Sequence, residues 1–296
     1  MAKYSNSGSL TYQVKRRFRD IDAIGQKKAT DPKNEYIHSI GTMKTYTNHC
    51  IKFANYCKER YNIKLLEDCK PYIKEFIENS DYSSWVKKTQ RSAIAKLYGV
   101  KASEFGDIDT GQRSRDTVKR SRKPAKRDKH FNPNGKYKDY VKFCKATGLR
   151  KIEITSLKGN SFKINDNGVP VLEVTRNTKG GRHREVPILK EYVSFVKEVC
   201  LKAGNGNVLP VIAHGRTKVP DGADTHSYRA WYANTLYKRL ERPLYKLTTK
   251  EKYFCRNDLK GVIYDKRAMG IVSEALGHTR LSIIAISYLR EDNNIN

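Results

Sequence analysis

Histidine and arginine three residues apart, at His226 and Arg229, are followed by a second histidine at His278 and a tyrosine at Tyr288. Upstream, Arg150 closes the run Ala146-Thr147-Gly148-Leu149-Arg150, and Lys179 stands before Gly180-Gly181. Cations, imidazoles and a phenol suit one kind of chemistry, transesterification of a phosphodiester. Negative charge gathers on the nonbridging oxygens, which planar arginine forks pair with while staying protonated. The phenol can serve as an in-line nucleophile, and an acid must protonate the departing oxygen. Read one at a time, each residue also has a plainer explanation. Arg150 can be one surface charge among 59 Lys and Arg, Lys179 an ordinary hairpin lysine, and Tyr288 one packed aromatic among 19 tyrosines. The His226–Arg229 spacing puts both on one helix face, but such pairs are common by chance.

The elements that must position these groups follow from hydrophobic spacing. Leu10, Val14, Phe18 and Ile21 recur at a helical period, a loop surrounds Pro32, and helix resumes from Thr42 with Ile51, Ala54, Tyr56 and Cys57 on neighbouring turns. Pro71 suits the first turn of a helix carrying Tyr72, Ile73, Phe76 and Ile77. Ser83 or Ser84 can cap a further helix with Trp85, Val86, Ala93, Ile94 and Leu97 inward and Gly99 at its end. Residues 1–112 therefore read as an all-helical domain. Residues 131–296 read as mixed. A helix ends at Gly148, and a second runs through Ile152, Ile154 and Leu157. Three strands follow, Phe162–Ile164, Val169–Thr175 and Glu185–Leu189, with Asp166-Asn167-Gly168 as a tight turn and Lys179 on the next one. From Tyr192 on the pattern is mostly helical, with loops near residues 203–224 and 242–260. The fold class expected is mainly α with a small antiparallel β-sheet.

Charge points to the partner. The 296 residues carry 59 Lys and Arg against 31 Asp and Glu, a formal net charge of +28. Such a chain repels itself unless it meets a polyanion, most commonly a nucleic acid. Between residues 113 and 130 the apolar pattern collapses, and nine of the 17 residues from 113 to 129 are Lys or Arg. Arg120, Arg122, Lys123, Lys126 and Arg127 are the candidate phosphate contacts in this linker. No apolar run reaches membrane-spanning length, and the opening residues Met1-Ala2-Lys3-Tyr4-Ser5-Asn6 have no signal-like core, so a cytoplasmic, DNA-associated protein without membrane attachment is expected. The six cysteines are scattered with no Cys-x-x-Cys pair, which reads as reduced thiols and no metal site.

Taken in order, these residues resemble the tyrosine recombinase (phage integrase) family. Ala146–Arg150 looks like its first-arginine box, and Thr178-Lys179-Gly180-Gly181-Arg182 leading to Arg184-Glu185-Val186-Pro187-Ile188 looks like its β-hairpin lysine box. His226-x-x-Arg229 looks like the second arginine box, and Ala275-Leu276-Gly277-His278, with Tyr288 ten residues on, looks like the final histidine and the nucleophile. The resemblance implies a site-specific recombinase or integrase, acting at short core sites on double-stranded DNA as a homo-tetramer and serving a mobile element. Its helical core-binding domain would be residues 1–112, the basic linker 113–130 and the catalytic domain 131–296. Tyr288 would form a 3′-phosphotyrosyl link, Arg150 and Arg229 would hold the nonbridging oxygens, Lys179 would protonate the leaving oxygen, and His226 and His278 would handle the phosphate and the tyrosine proton. Glu153 would either orient Arg150 or be a surface carboxylate. Because the covalent link conserves bond energy, neither a cofactor nor a metal is implied.

Three departures stand out. Arg229 and His278 are 49 residues apart (278 − 229), with residues 241–266 read as an insertion; eight residues (289–296) follow Tyr288; and the His226 box has Tyr228 before the arginine and Ala230 after it, where a second histidine is frequent in the family. From the short stretch ahead of the helix after Pro32, an additional arm-site domain is not expected, which favours simple core sites. Two other readings share the residues: a topoisomerase IB-like enzyme that nicks and reseals one strand, and a catalytically silent DNA-binding regulator. The linker assignment has a direct test in the salt dependence of DNA binding. Neutralising Arg120, Arg122, Lys123, Lys126 and Arg127 together is expected to reduce the slope of log K against log salt by about 0.9 for each phosphate that is no longer paired. An unchanged slope reduces the run to a spacer.

Overall fold

A computed structural model of the chain describes residues 8–112, 132–176, 178, 183–209, 220 and 223–289. The chain divides into two compact units, Met1–Val118 and Lys119–Asn296.

Among the described residues, the first unit is built from four α-helices: α1 (Leu10–Asp20), α2 (Ile40–Tyr61), α3 (Ile73–Glu78) and α4 (Ser84–Tyr98). Their apolar stripes meet in one core, where Val14, Phe18, Phe53, Ile77, Ile94 and Leu97 are all but sealed from solvent. Helix starts are chemically marked. The Ser9 and Ser39 side chains accept from the Tyr12 and Thr42 amides and cap α1 and α2. Ser83 stands at the N-cap of α4 without a side-chain cap, and its neighbour Ser84 donates instead to the Gln112 carbonyl. Gly99, at φ +68°, ends α4 in a left-handed turn. Two expectations need correction. Pro71 lies in a 3₁₀ turn (Glu67–Tyr72) ahead of α3, because the chain turns there before committing to an α-helix. Trp85 is 40% exposed, since the first turn of α4 extends past the core that Ala93, Ile94 and Leu97 fill.

The second unit, over its described residues, is mainly helical with two small antiparallel sheets. Helix α5 (Lys138–Thr147) ends at Gly148, and α6 (Lys151–Ile154) is a single turn, shorter than the apolar spacing predicts. Strands β1 (Phe162–Ile164), β2 (Pro170–Val174) and β3 (Arg184–Pro187) form a three-stranded sheet in which Leu172 faces Phe162 on one side and Val186 on the other. Gly168, at φ +72°, makes the β1–β2 turn, and Asn165 Oδ1 holds it by accepting from the Asn167 and Val169 amides. Then come α7 (Val193–Ala203), α8 (Thr225–Leu240), β4 (Lys252–Phe254), β5 (Ile263–Asp265), α9 (Lys266–Ala275) and α10 (Leu281–Ser287). Leu149, Ile154, Leu172, Val186, Tyr232, Val272 and Ile284 form its core. Among the described residues no helix is long and apolar enough to cross a membrane.

The stretch 241–266, read from sequence as an insertion with a loop near 242–260, contains the β4–β5 hairpin. Its organising contact is Asp265. That carboxylate accepts from Arg242 Nε (2.8 Å), Arg242 Nη2 (2.9 Å) and the Arg242 amide (3.0 Å), and also caps α9 through the Arg267 and Ala268 amides. Arg242 reaches on to Glu251 at 2.6 Å. The Arg242 hydrogen bonds hold the Asp265 carboxyl well below the usual carboxylate range, against the upward push of burial. A depressed folded pKa stabilises the protein fully above the unfolded value near pH ~4, and that stabilisation is lost as pH falls toward the folded value. Asp265→Asn is therefore expected to lower the melting temperature by about 5 °C at pH 7, with the gap from wild type closing below about pH 4. Equal melting temperatures at pH 7 would contradict this role.

Candidate active site

Two helix C-termini and one helix N-terminus converge in the second unit. Gly148, at φ +59°, ends α5, and a Cβ built on it would meet the Tyr232 ring at 2.3 Å. Only glycine can hold that turn so close to the buried ring. Gly277, at φ +63°, ends α9, with the Gly277 amide bonded to the Glu274 carbonyl and the His278 amide to the Ser273 carbonyl. This is a Schellman-type turn. It places His278 immediately beyond the helix and leaves the Leu276 carbonyl pointing at the arginines. Helix α8 starts at Asp224, whose carboxylate accepts from the His226 and Ser227 amides, so His226 and Arg229 occupy its first turns.

Arg229 is 1% exposed. Its Nη1 donates to the Gly148 carbonyl, its Nη2 to the Leu276 carbonyl, and its Nε to Tyr288 Oη at 3.2 Å. Burial pushes the guanidinium below its ordinary value, but that value lies so high that the group stays charged. Arg150 donates through Nη2 to the same Leu276 carbonyl at 3.0 Å, and through Nη1 to Glu153 at 2.8 Å. Arg150 Nη2 and Tyr288 Oη also lie 3.5 and 3.3 Å from His278 Nε2. An arginine can only donate, so both contacts present donors to His278 Nε2 when that nitrogen carries the lone pair. The Tyr288 oxygen then accepts from Arg229 and donates to His278.

Glu153 is the shared anion. It is 1% exposed, and it accepts from the Arg150 amide and from Arg184 Nη2, each at 2.8 Å. Burial pushes its carboxyl up, but the donors from Arg184 and Arg150 outweigh this and hold it below its ordinary value. Glu153 is thus no surface carboxylate. Three guanidiniums (Arg150, Arg184 and Arg229) surround one carboxylate, which leaves a local excess of positive charge suited to an anion. Beside them an open cavity of about 410 Å³ is lined by Arg150, Thr155, His226 and Arg229, among others.

The structure thus links Arg150 to His278, His278 to Tyr288 and Tyr288 to Arg229, joins the two arginines through the Leu276 carbonyl, and sets His226 on the wall of the cavity that both arginines line. Lys179 and the linker residues Arg120, Arg122, Lys123, Lys126 and Arg127 lie outside the described residues.

No family model and no curated protein matches this chain. Among solved structures, XerH site-specific recombinase bound to palindromic difH substrate in a post-cleavage complex is similar over 96% of this chain and 92% of that chain, with a TM-score of 0.53 at 15% identity. The same recombinase bound to difH in a pre-cleavage complex is similar over 97% of this chain and 95% of that chain, with a TM-score of 0.51 at 15% identity. This chain has the tyrosine-recombinase fold. Within the fold, the contacts above occupy the boxes quoted from sequence.

Sequence reasoning passed over Arg184 as a site residue, although it lay inside the quoted lysine box. Its signal was strand alternation. On β3 it shares a face with buried Val186, so a charged side chain was being sent inward. The Leu276 carbonyl, which accepts from both arginines, and Asn234, whose Nδ2 donates to the Tyr288 carbonyl, carry no signal in the sequence, because only tertiary packing brings them to the site. Two glycines, one just beyond α9 and one within it, give a paired test. Gly277→Ala is expected to cost about 1–3 kcal/mol in urea denaturation, since its left-handed φ is strained for alanine and the new Cβ would stand 3.2 Å from the Arg184 guanidinium carbon. Gly270→Ala, mid-helix with no atom within 4 Å of the added Cβ, is expected to stabilise by about 0.5–1 kcal/mol. Equal effects would remove the conformational argument for Gly277.

Proposed function

We propose that this protein is a tyrosine-type site-specific DNA recombinase or integrase, cleaving and rejoining double-stranded DNA for a mobile element. The observation that carries the reading is the Tyr288 hydroxyl held between a buried arginine and an imidazole, 3.2 Å from Arg229 Nε and 3.3 Å from His278 Nε2. Tyr288 Oη attacks the scissile phosphorus, and the bond from phosphorus to the 5′ oxygen breaks. The 3′ phosphate becomes esterified to the tyrosine, and the downstream segment of the same strand leaves with a 5′ hydroxyl. The phenol proton passes to His278 Nε2. The departing oxygen takes a proton from Lys179, the role that the family resemblance gives it.

Each Nη of Arg150 and Arg229 carries two N–H groups. The second on Arg150 Nη1 and on each Arg229 Nη remains chemically suited to a nonbridging oxygen while the first stays on protein, whereas Arg150 Nη2 has both on protein, at the Leu276 carbonyl and His278 Nε2. His226 lies on the wall of the shared cavity, which supports the role the resemblance gives it toward the same phosphate. The charge of +28 suits a DNA partner, and the XerH structures that share the fold are described as bound to difH substrate. The helical unit is read as the core-site binding domain, the basic linker as a backbone contact, and four copies on two sites as the working assembly.

The test is a covalent-trapping assay on nicked suicide duplexes drawn from the DNA flanking the gene. Wild type is expected to yield a denaturation-resistant protein–DNA adduct, and Tyr288→Phe to yield none while keeping its DNA affinity. Absence of an adduct with wild type, or its persistence in Tyr288→Phe, would falsify the assignment.

A further inference from the structure

Tyr288 stands at the C-cap of α10, a helix of seven residues. A helix that short is not stable alone, and its last carbonyls have no partner within it. Side chains from elsewhere hold the backbone at its C-cap and just beyond. Asn234 Nδ2, on α8, donates to the Tyr288 carbonyl and, at 3.0 Å, to the Ala230 carbonyl of its own helix. Tyr264 Oη, on β5, donates to the Leu289 carbonyl at 2.6 Å. Tyr264 is itself fixed. Its ring packs edge-on against Tyr237 of α8, with centroids 5.5 Å apart and planes at 88°, and Tyr237 Oη accepts from the Asp265 amide at 2.9 Å. Asp265 is held by the Arg242 fork. A continuous set of contacts therefore runs from the β4–β5 hairpin to the backbone at Tyr288 and Leu289.

We propose that the β4–β5 hairpin is a positioning element for the Tyr288 phenol, acting through the Tyr264 hydroxyl on the Leu289 carbonyl; this rests on the reading of Tyr288 as the nucleophile. An in-line attack demands that the phenol oxygen be held within a fraction of an ångström. The backbone beyond a seven-residue helix has no such rigidity of its own. In this chain the residues between the second arginine box and the final histidine supply it, which gives the long 229–278 interval a task.

The test removes one oxygen. Tyr264→Phe keeps the ring and its packing on Tyr237 and deletes the donor. Tyr253→Phe, at the cross-strand partner of Tyr264, deletes a hydroxyl from the same hairpin that makes no bond to Leu289. Two quantities are read on the full-length protein. Hydrogen exchange of a peptide spanning residues 281–289 is expected to rise about tenfold in Tyr264→Phe and to stay unchanged in Tyr253→Phe. The single-turnover rate of adduct formation on the nicked flanking-DNA duplex is expected to fall about tenfold in Tyr264→Phe, with the Kd for that duplex and the melting temperature close to wild type. Unchanged exchange overturns the proposal, as does raised exchange with an unchanged adduct rate, or an equal effect in Tyr253→Phe. If wild type itself forms no adduct, the recombinase reading falls, and with it the catalytic meaning of the anchor, while the exchange data still decide whether the anchor exists.

Discussion

A charged guanidinium sealed from solvent sets the terms for the second unit. Arg229 is 1% exposed, and a buried cation is tolerated only where its donors are satisfied and its charge is opposed. Two of its partners are carbonyls at the C-terminal ends of α5 and α9, from Gly148 and Leu276. Helix C-termini carry partial negative charge, so the two helix ends oppose the guanidinium without a carboxylate bonded to it. Both ends must turn away sharply for their carbonyls to reach one arginine, and each does so through a glycine in the left-handed region, Gly148 and Gly277. The third partner is the Tyr288 hydroxyl. Packing the core and assembling the site are thereby the same event.

Around that centre the charges are distributed unevenly. Glu153 takes two arginines, Arg150 and Arg184, and by doing so fixes Arg150 beside the Leu276 carbonyl that it shares with Arg229. Arg184 in turn donates to the Ala275 carbonyl at 2.9 Å, tying β3 to the end of α9. One buried carboxylate cannot neutralise three guanidiniums. The remaining positive charge lies beside the cavity lined by Arg150, His226 and Arg229. Its arrangement is fixed by contacts within the protein, from Glu153 and the helix-end carbonyls.

Much of this was legible from residue types and spacing. Leu10, Val14 and Phe18 predicted α1, the Asn167-Gly168 pair predicted the β1–β2 turn, and Gly148 and Gly99 marked helix ends. These features are local, decided by the backbone preferences of a few adjacent residues. Trp85 was misplaced because helical period gives a face but not how far the core extends along it. Residues 242–260 read as a loop because short strands rich in Lys and Tyr carry no clear period. The hairpin exists through Asp265 and Arg242, 23 residues apart, whose pairing no local pattern announces. Glu153 was balanced between orienting group and surface carboxylate. Its spacing from Arg150 was visible, whereas its burial depended on Arg184, 31 residues on.

By itself the sequence determined the inventory of chemistry: the order Arg150, Lys179, His226, Arg229, His278, Tyr288, the glycines that stop the helices beside these residues, and the charge that calls for a polyanion. Those are properties of residue type, near-neighbour geometry and summed charge, all of which survive without a fold. Only the tertiary structure decided that Arg229 is sealed under two helix ends, that the Tyr288 oxygen lies between Arg229 and His278, and that Asn234 and Tyr264 hold the backbone carbonyls of Tyr288 and Leu289. These depend on where side chains far apart in the chain come to rest. That placement is set by the packing of one core and by the need to satisfy every polar group buried in it.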